Sequence, residues 1–430
     1  MKAELKEISS YQRELLIEVP ADIVQQEIDR ASQTIKKTAR LPGFRPGKTP
    51  IPIIKSRFSR EIKDEVLNKL LPRYYEEALK QHHLSPISPP VMDDITVEEG
   101  EPLRFKASFE VKPPIKVENY EGLKGSHPEV KVTPEEVETA LRNLQERGAQ
   151  LVTVEGRGVQ SGDWVMLDIV EQFDPPTQGG SHREENALIE VGSPRTFEGF
   201  SQQLMGMNRG QERSFTIDYP PDLPRKKLAG KKVHYKVKLK EIKIKEIPTL
   251  DDEFARDLGD LKNLGDLREK MEKDLLSRKE DEAERALTDE LLGQLSDAHT
   301  FEVPPYLVEQ ELDHRVSRVA NNFVMQGIDL KRVEFDWDKF RQEQRPDAIK
   351  SVKKWLIVEQ IAHQENIVVT PDEVHTEIER IAAENNKSVA YIKGWLQKEG
   401  RMEELKNQLI FLKTVDFLKK KAIIVNKGEK

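Results

Sequence analysis

The sequence predicts an α+β protein of several domains, with an N-terminal α+β domain, an inserted antiparallel β domain and an elongated all-α C-terminal domain with arms. Three observations predict this organisation. A chain of 430 residues is too long for one hydrophobic core. Short β-rich runs separated by Gly and Pro fill residues 151–245. Residues 246–430 instead carry apolar residues at helical spacing among dense charges of both signs, which predicts amphipathic helices.

Residues 1–112 are predicted to form the first domain. Residues 14–19 have the composition of a strand, and the Pro-Ala-Asp that follows opens a helix. A second helix is predicted over about residues 51–82, because apolar residues recur at helical spacing from Ile54 to Ala78. Residues 103–111 alternate strictly between apolar and polar residues, as a half-buried strand does. A double proline then ends the domain.

A local basic region lies inside this domain. Residues 30–63 contain ten Lys or Arg and one acid, whereas the whole chain has 69 basic and 77 acidic residues. Its centre is the run GFRPGKTP at residues 43–50, whose prolines fix φ and whose glycines allow sharp turns. A stiff exposed loop with Phe44, Arg45 and Lys48 at its tip would suit RNA, or a protein surface on RNA. The pattern alone equally allows an ordinary turn with Phe44 packed inward.

The run LPGFRPGKTP at residues 41–50 resembles the signature loop of the trigger factor family, the ribosome-associated chaperones of bacteria, with Pro46 where Lys is common. The resemblance extends over nearly the whole chain. In that family the loop docks on the large ribosomal subunit beside the exit of the peptide tunnel. The resemblance therefore implies that six consecutive residues form the ribosome contact: Gly43, Phe44, Arg45, Pro46, Gly47 and Lys48.

Residues 113–150 are predicted to form a linker and a helix that packs with the C-terminal domain. Thr133-Pro134-Glu135-Glu136 combines an N-cap Thr, a Pro at the first helical position and a Glu three residues after the cap. The same pattern returns at residues 370–373. We interpret it as one way of starting a helix used twice, and not as evidence of a repeated domain.

Residues 151–245 are predicted to form a small antiparallel sheet. Residues 191–192, 197–200, 204–207 and 210–212 occur in the order found in the FKBP-type prolyl isomerase domain that trigger factors insert here. Isomerisation of an X–Pro bond needs no acid, base or metal, only an apolar pocket that favours the twisted amide over a planar form protected by a barrier of about 18–20 kcal/mol. The resemblance implies a pocket of five aromatic residues: Phe197, Phe200, Phe215, Tyr219 and Tyr235. The alternative is that these rings form only a barrel core.

Some residues depart from the family's isomerase pattern. Ile169 stands where the family has an aromatic residue on the first strand, and residues 173–180 replace a turn that carries an acidic pocket residue. The flap near residues 220–224 is shortened. We therefore expect isomerase activity that is present but low.

Residues 246–430 are predicted to be helical. A long, charged and exposed helix is expected over 266–298, a second starts at the double proline 304–305, and others are predicted over 353–363, 371–384, 389–398 and 402–424. Apolar side chains are numerous for so charged a region: Phe323, Val324, Met325, Trp337, Phe340, Trp355, Trp395 and Phe411. Some could line an open cradle for unfolded clients, as the family's arms do, although burial between the arms is the simpler interpretation for any one of them.

The composition excludes several classes of function. There is no cysteine, so disulfides, thiolate catalysis and cysteine metal sites are excluded. His82-His83 fits a solvated helix end better than a metal site, because no carboxylate or third His lies nearby, and no cofactor is expected. No phosphate-binding Gly-Lys-Ser/Thr loop indicates an ATP cycle. Neither a signal sequence nor a membrane span is apparent, so we expect a cytoplasmic protein with no membrane partner.

Three functions remain as hypotheses. A ribosome-docked chaperone with an attached isomerase accounts for the basic loop, the inserted domain and the charged helices together. A stand-alone prolyl isomerase accounts only for the middle third, and an RNA-binding protein only for residues 30–63. We favour the first. Its expected partners are the large ribosomal subunit near the tunnel exit, through protein and rRNA, and nascent or unfolded polypeptides, with a homodimer off the ribosome left open.

Overall fold

The structure is a computed structural model that describes residues 1–42, 44, 47–174, 181–194, 196–221, 228–328, 330 and 335–427. The chain divides into two compact units, one formed by residues 1–129 with 284–430 and the other by residues 130–283. The second unit is continuous in sequence and interrupts the first, as an inserted domain does.

The N-terminal part of the first unit is a four-stranded antiparallel sheet with three helices. Its elements are β1 Lys2–Glu7, β2 Gln12–Val19, α1 Ala21–Thr38, α2 Ile51–Arg57, α3 Ser59–Gln81, β3 Val91–Thr96 and β4 Leu103–Glu110. The strand order is β1-β2-β4-β3. Alternate residues of β2 and β4 are buried against the helices, and for β4 this is the pattern that its strictly alternating sequence predicts.

The single helix predicted over residues 51–82 is wrong in one respect. The backbone of Phe58, with φ −118° and ψ 29°, leaves the helical region and separates α2 from α3. Phe58 is half-buried against the N-terminal core. Its side chain thus keeps the apolar periodicity of a continuous helix, and that is why the sequence pattern does not reveal the break.

The second unit contains a five-stranded antiparallel sheet. Its elements are α4 Pro134–Arg147, β6 Gln150–Val154, β7 Trp164–Asp174, β8 His182–Glu190, α5 Glu198–Leu204, β9 Glu212–Asp218, β10 Lys232–Glu246, α6 Asp252–Asp257 and the first part of α7 Leu264–Ala298. The long strand β10 pairs with β6, β7 and β9, and β8 pairs with the other side of β7. The predicted small antiparallel sheet is confirmed, although β6 and β8 were not predicted.

The rest of the first unit is mostly helical. Its elements are β5 Lys124–Pro128, the end of α7, α8 Pro305–Met325, α9 Trp337–Gln364, α10 Pro371–Glu384, α11 Val389–Lys398, α12 Met402–Lys421 and β11 Ile423–Lys427. The predictions for 371–384 and 389–398 are confirmed to the residue. The prediction for 353–363 is too short, because α9 begins at Trp337.

Two predictions about these helices are wrong. The helix predicted over 402–424 ends at Lys421, because three successive β-branched residues favour a strand and β11 pairs in parallel with β5. The exposed helix predicted over 266–298 is α7, but four leucines near its end are no more than 4% exposed: Leu287, Leu291, Leu292 and Leu295. Leu292 and Leu295 belong to the helical core, whereas Leu287 and Leu291 lie against Gly125 of β5.

Candidate functional sites

The basic loop connects α1 to α2. Of the six residues implied in the ribosome contact, Phe44, Gly47 and Lys48 are described, whereas Gly43, Arg45 and Pro46 lie outside the described residues. The Phe44 side chain is 38% exposed, so the alternative in which it packs inward does not hold. Its backbone N–H donates to the carbonyl oxygen of Leu41 at 3.1 Å, which closes a turn just before it.

The loop is anchored on its C-terminal side. Thr49 is 1% exposed, and Pro50 is the N-cap of α2 with its φ at −59°. A buried residue followed at once by a helix start fixes where the loop ends. Phe44 and Lys48 are therefore presented by a segment whose C-terminal end is held by the core.

The charges of the basic region divide into two groups. Lys55 bonds the carboxylates of Glu99 at 2.5 Å and Asp29 at 2.9 Å. These bonds raise the pKa of Lys55, and the bond to Glu99 has the larger effect. The charge of Lys55 is therefore paired within the domain. Six exposed cations make no ion pair with any residue that the structure describes: Lys37, Arg40, Lys48, Arg57, Arg60 and Lys63. Their positive potential is not neutralised locally and remains available to an anionic surface.

An open cavity of about 1250 Å³ lies in the second unit. Four of the five predicted pocket residues line it: Phe197, Phe200, Tyr219 and Tyr235. Phe215 does not line it and supports the wall from behind, with its ring centroid 5.4 Å from that of Phe200 and 5.6 Å from that of Tyr235. The sequence pattern therefore brings all five rings together, but only four face the cavity.

The lining rings are held by contacts with one another. The rings of Phe200 and Tyr235 meet edge to face at 5.0 Å, and those of Phe197 and Tyr219 lie 4.9 Å apart. The hydroxyls of Tyr219 and Tyr235 form a hydrogen bond of 2.9 Å. Because Phe200, Tyr219 and Tyr235 are at most 7% exposed, they are at once cavity wall and core. The two interpretations of these rings, as a pocket and as a core, are therefore compatible.

The motif around α5 explains how Phe197 reaches the cavity. Phe197 precedes the first turn of α5, with its ring lying over Gly199. A Cβ atom on Gly199 would lie 2.9 Å from Cε1 of Phe197, closer than real Cβ contacts come. Glycine at this position therefore allows the ring to lie across the start of the helix.

Trp164 is a lining residue that the motif comparison missed. It opens β7, and its indole Nε1 is buried without a hydrogen-bond partner among the described residues. Its position is held by the preceding residue. Asp163 accepts hydrogen bonds from both terminal nitrogens of Arg157, at 2.6 and 2.8 Å, and this pairing is the main reason that its pKa is lowered. The only feature of the sequence that points to Trp164 is its position at the start of the predicted strand WVMLDIV.

Ile169, which stands in place of an aromatic residue, does not line the cavity. It is 4% exposed, belongs to the core cluster of the sheet, and is not among the residues that line the cavity. Ile169 therefore supplies no wall to this cavity. Residues 175–180, which carry the rest of the argument for low activity, lie outside the described residues, as do residues 222–227 of the flap region.

The apolar residues proposed to line an open cradle are not buried. None of the eight is fully buried, and three are exposed: Val324 at 58%, Met325 at 86% and Trp395 at 41%. Burial between the arms is therefore the wrong interpretation for these three. Near the end of α8, Phe323 packs with Phe335 and Trp337 at centroid distances of 5.6 and 6.4 Å. This aromatic cluster lies next to the exposed Val324 and Met325 in the sequence.

Three family models match the chain. "Bacterial trigger factor protein (TF)" matches residues 1–144, "FKBP-type peptidyl-prolyl cis-trans isomerase" residues 156–240, and "Bacterial trigger factor protein (TF) C-terminus" residues 263–420. Matches in all three regions leave a stand-alone isomerase and a simple RNA-binding protein without support. In the part of the chain that the structure describes, no helix is long and apolar enough to cross a membrane.

Whole proteins are similar over nearly the full chain. A trigger factor of Solibacter usitatus is 34% identical over 408 residues, which cover 95% of this chain and 96% of that protein. A trigger factor of Halothermothrix orenii is 35% identical, with coverage of 97% and 98%. A solved structure described as "Promiscuous Substrate Recognition in Folding and Assembly Activities of the Trigger Factor Chaperone" aligns with a TM-score of 0.49 at 20% identity, over 97% of this chain and 99% of that one.

Proposed function

The chain belongs to the trigger factor family, and from that premise we propose which of its residues carry each activity. It is a ribosome-associated chaperone with an FKBP-type peptidyl-prolyl isomerase domain, and it interacts with the ribosome and with nascent chains. What remains to be assigned is the ribosome contact, the isomerase pocket, the client surface and the domain boundaries.

The ribosome contact is the loop from Gly43 to Lys48. One observation carries this assignment: Phe44 is 38% exposed in a region whose cations Lys48, Arg57 and Arg60 have no acidic partner among the described residues. Lysines and arginines bind rRNA phosphates, while an exposed ring can stack on a base or enter a pocket of a ribosomal protein. The finer partners are thus rRNA and protein of the large subunit near the tunnel exit.

The isomerase pocket is the cavity lined by Phe197, Phe200, Tyr219 and Tyr235, with Phe215 in support. A prolyl ring entering it would leave water and contact aromatic faces. Loss of water around the amide disfavours the charge-separated planar resonance form relative to the twisted form, and this lowers the barrier without proton transfer. Low activity remains our expectation, based on Ile169 in place of an aromatic residue and on the replaced turn at residues 173–180.

Clients bind the exposed apolar side chains of the helical region, including Val324, Met325 and Trp395. Binding is independent of ATP and takes place in the cytoplasm. The domains are 1–112 for ribosome binding, 113–150 as linker and packing helix, 151–245 for isomerisation and 246–430 for chaperoning. A homodimer away from the ribosome would cover part of the same apolar surface, and sedimentation velocity of the free protein checks this.

The first prediction tests the ribosome contact. Phe44→Ala/Arg45→Ala/Lys48→Ala should reduce co-sedimentation with vacant ribosomes by tenfold or more, because loop residues contribute to an interface and little to a core. Far-UV circular dichroism should stay unchanged. Binding of the unmodified protein should also fall as salt rises, since phosphate contacts release counterions.

The matched control also removes one aromatic and two cationic side chains, but far from the loop in sequence. Tyr391→Ala/Lys393→Ala/Lys398→Ala deletes an aromatic side chain that is 58% exposed and two lysines of α11. This variant should pellet with ribosomes like the unmodified protein. If the loop variant also pellets normally at near-physiological salt, the assignment of the loop is wrong.

A further inference from the structure

The small parallel sheet of β5 and β11 has one closed edge. On the side of β5 that faces away from β11, the N–H of Ser126 donates to Oε2 of Glu290 at 2.8 Å. On the same side, the carbonyl oxygen of Lys124 accepts from Nε2 of Gln294 at 2.6 Å. Both acceptor and donor come from α7. No further strand can add to β5 without displacing these side chains.

The other edge, that of β11, is open. The N–H of Ile423 donates to the carbonyl oxygen of Leu123 at 2.7 Å, so Ile423 faces β5. In a parallel ladder alternate residues point their N–H and C=O groups to opposite sides, so those of Ile424 point away from β5. Among the described residues no strand pairs with β11 on that side. A row of unpaired main-chain groups is a template for another strand.

The side chains along this edge are apolar and exposed. Ile423, Ile424 and Val425 are 56%, 41% and 58% exposed. Charged residues or prolines commonly protect such an edge, but this strand carries three β-branched apolar residues in succession. The edge therefore offers both main-chain hydrogen bonds and apolar contacts.

We propose that β11 binds an extended apolar polypeptide segment as a third strand of this sheet. The proposal rests on the chaperone function and adds a mode of client binding to it. Hydrogen bonds to a main chain are made by any sequence, so strand addition suits clients that share only an unfolded state. The preferred segment has acidic flanks, because the exposed Lys420 lies shortly before β11 and pairs with no described acid.

A second copy of β11 is the less favourable occupant. Three lysines precede the strand and one ends it, at residues 419–421 and 427. Lys419 and Lys421 pair with Glu284 and Glu121, whereas Lys420 makes no ion pair with a described residue. Association of two copies of β11 would bring the exposed Lys420 of each copy close to the other copy's lysines, and like charges in proximity are destabilising.

The test measures binding of a fluorescent peptide to the full-length protein without ribosomes. The probe is a short peptide of alternating valine and threonine with aspartates at both ends. A second probe is N-methylated on the alternate amides that would face β11, which removes hydrogen-bond donors and keeps the side chains. The unmodified probe should bind at least fivefold more tightly than the methylated one. Equal affinities would overturn the proposal whatever the variants do.

Two variants then place the site. Ile424→Pro removes the N–H of the open edge and leaves the bond between Ile423 and Leu123 in place, a position where edge strands tolerate proline. It should weaken the probe at least fivefold, whereas Ile424→Val should change affinity less than twofold. Hydrogen exchange of the Val425 amide reports whether β11 stays paired; with β11 paired, normal probe binding by Ile424→Pro contradicts the proposal.

Sedimentation velocity tests whether a second copy of the protein, and not a client peptide, occupies the open edge of β11. A dimer that dissociates in Ile424→Pro and that the probe does not disrupt would identify a second copy as the occupant and overturn the proposal. Ribosome binding depends on the loop at residues 43–48 and not on β11, and it is measured by co-sedimentation and not by peptide binding. Failure of one of these two proposals therefore does not imply failure of the other.

Discussion

At the residue scale, Phe197 and Phe215 have different roles in the isomerase pocket: Phe197 can contact the prolyl group, whereas Phe215 only supports the cavity wall. Both are half-buried in the same aromatic group, but Phe197 lines the cavity and Phe215 does not. Phe197 contacts Tyr219, whereas Phe215 contacts Phe200 and Tyr235. A ring that only supports the wall should contribute to stability and little to the bound prolyl group.

The second prediction uses this pair. Phe197→Leu should lower kcat/KM for a short X–Pro peptide about tenfold, the equivalent of about 1.4 kcal/mol of transition-state binding. Phe215→Leu should change it less than threefold. Suppression of client aggregation should be unchanged in both variants. An equal loss of isomerase activity in the two would show that the rings act only as a core.

The pocket could be predicted from the sequence only in part. Several of its rings belong to short sequence motifs. Because Phe200 lies on α5 and Phe215 on β9, the positions of these two rings follow from local secondary structure. Trp164 and Ile169 lie on the same strand, β7, but Trp164 lines the cavity and Ile169 belongs to the core. That is a tertiary property, and no periodicity within one strand carries it.

At the element scale, the same three residue types build two helix starts: a threonine, a glutamate and a lysine from another helix. The hydroxyl of Thr370 accepts from the N–H of Glu373, whose carboxylate accepts from the N–H of Thr370 at 2.7 Å and from Lys413 at 2.7 Å. Thr133, Glu136 and Lys279 repeat this arrangement at α4. Each glutamate thus closes a capping box and also fixes a second helix.

The third prediction follows from the charge of Glu373. The bond from Lys413, and then that from the backbone of Thr370, lower the pKa of Glu373 from 4.5 to about 2. A lowered pKa in the folded state contributes stability that is present above pH 4.5 and is lost as pH falls through about 2. Glu373→Gln keeps the capping geometry and removes the charge. The unmodified protein should therefore be more stable than the variant at pH 7, with the difference shrinking below pH 4.5.

Trp395 provides the measurement. It lies on α11, whose buried residues share a core cluster with α10. With the other tryptophans changed to phenylalanine, urea unfolding followed by its fluorescence reports on this cluster. The contradictory outcome is a stability difference between the unmodified protein and the Glu373→Gln variant that stays constant from pH 7 to pH 2. It would assign the effect to shape and not to charge.

Local signals also explain which elements were predictable. The bounds of α10 and α11 follow from cap residues at their starts, namely Thr370 and Ser388. The end of α12 did not follow in this way. Ile423 pairs with Lys124, about 300 positions earlier in the chain, and a contact of such range leaves no trace in a local pattern.

At the scale of the whole molecule, the inserted sheet begins and ends at neighbouring residues. Gln150 opens β6 and Glu246 closes β10, and the two are direct partners in the antiparallel ladder. The chain therefore enters and leaves this sheet at one place. Such proximity of ends is what allows a domain to be inserted or removed without disturbing its host.

The fourth prediction concerns removal of this domain. Replacing residues 151–245 by a short Gly/Ser linker should leave the remaining chain folded, with a cooperative thermal transition in calorimetry. Replacing 164–246 instead removes residues Ile242–Glu246, the part of β10 that pairs with β6, and should lower the transition temperature. Loss of cooperativity in the first variant would show that the boundaries at 151 and 245 are wrong.

The pairing of β5 with β11 also sets the order in which this chain can fold during its own synthesis. The four-stranded sheet at the N-terminus is made of segments close in sequence and can form early. β5 must wait for a partner about 300 residues downstream, or roughly 15–60 s at bacterial or slower elongation rates. A chaperone of emerging chains is itself an emerging chain, with its loop for the ribosome completed long before the helical region that receives clients.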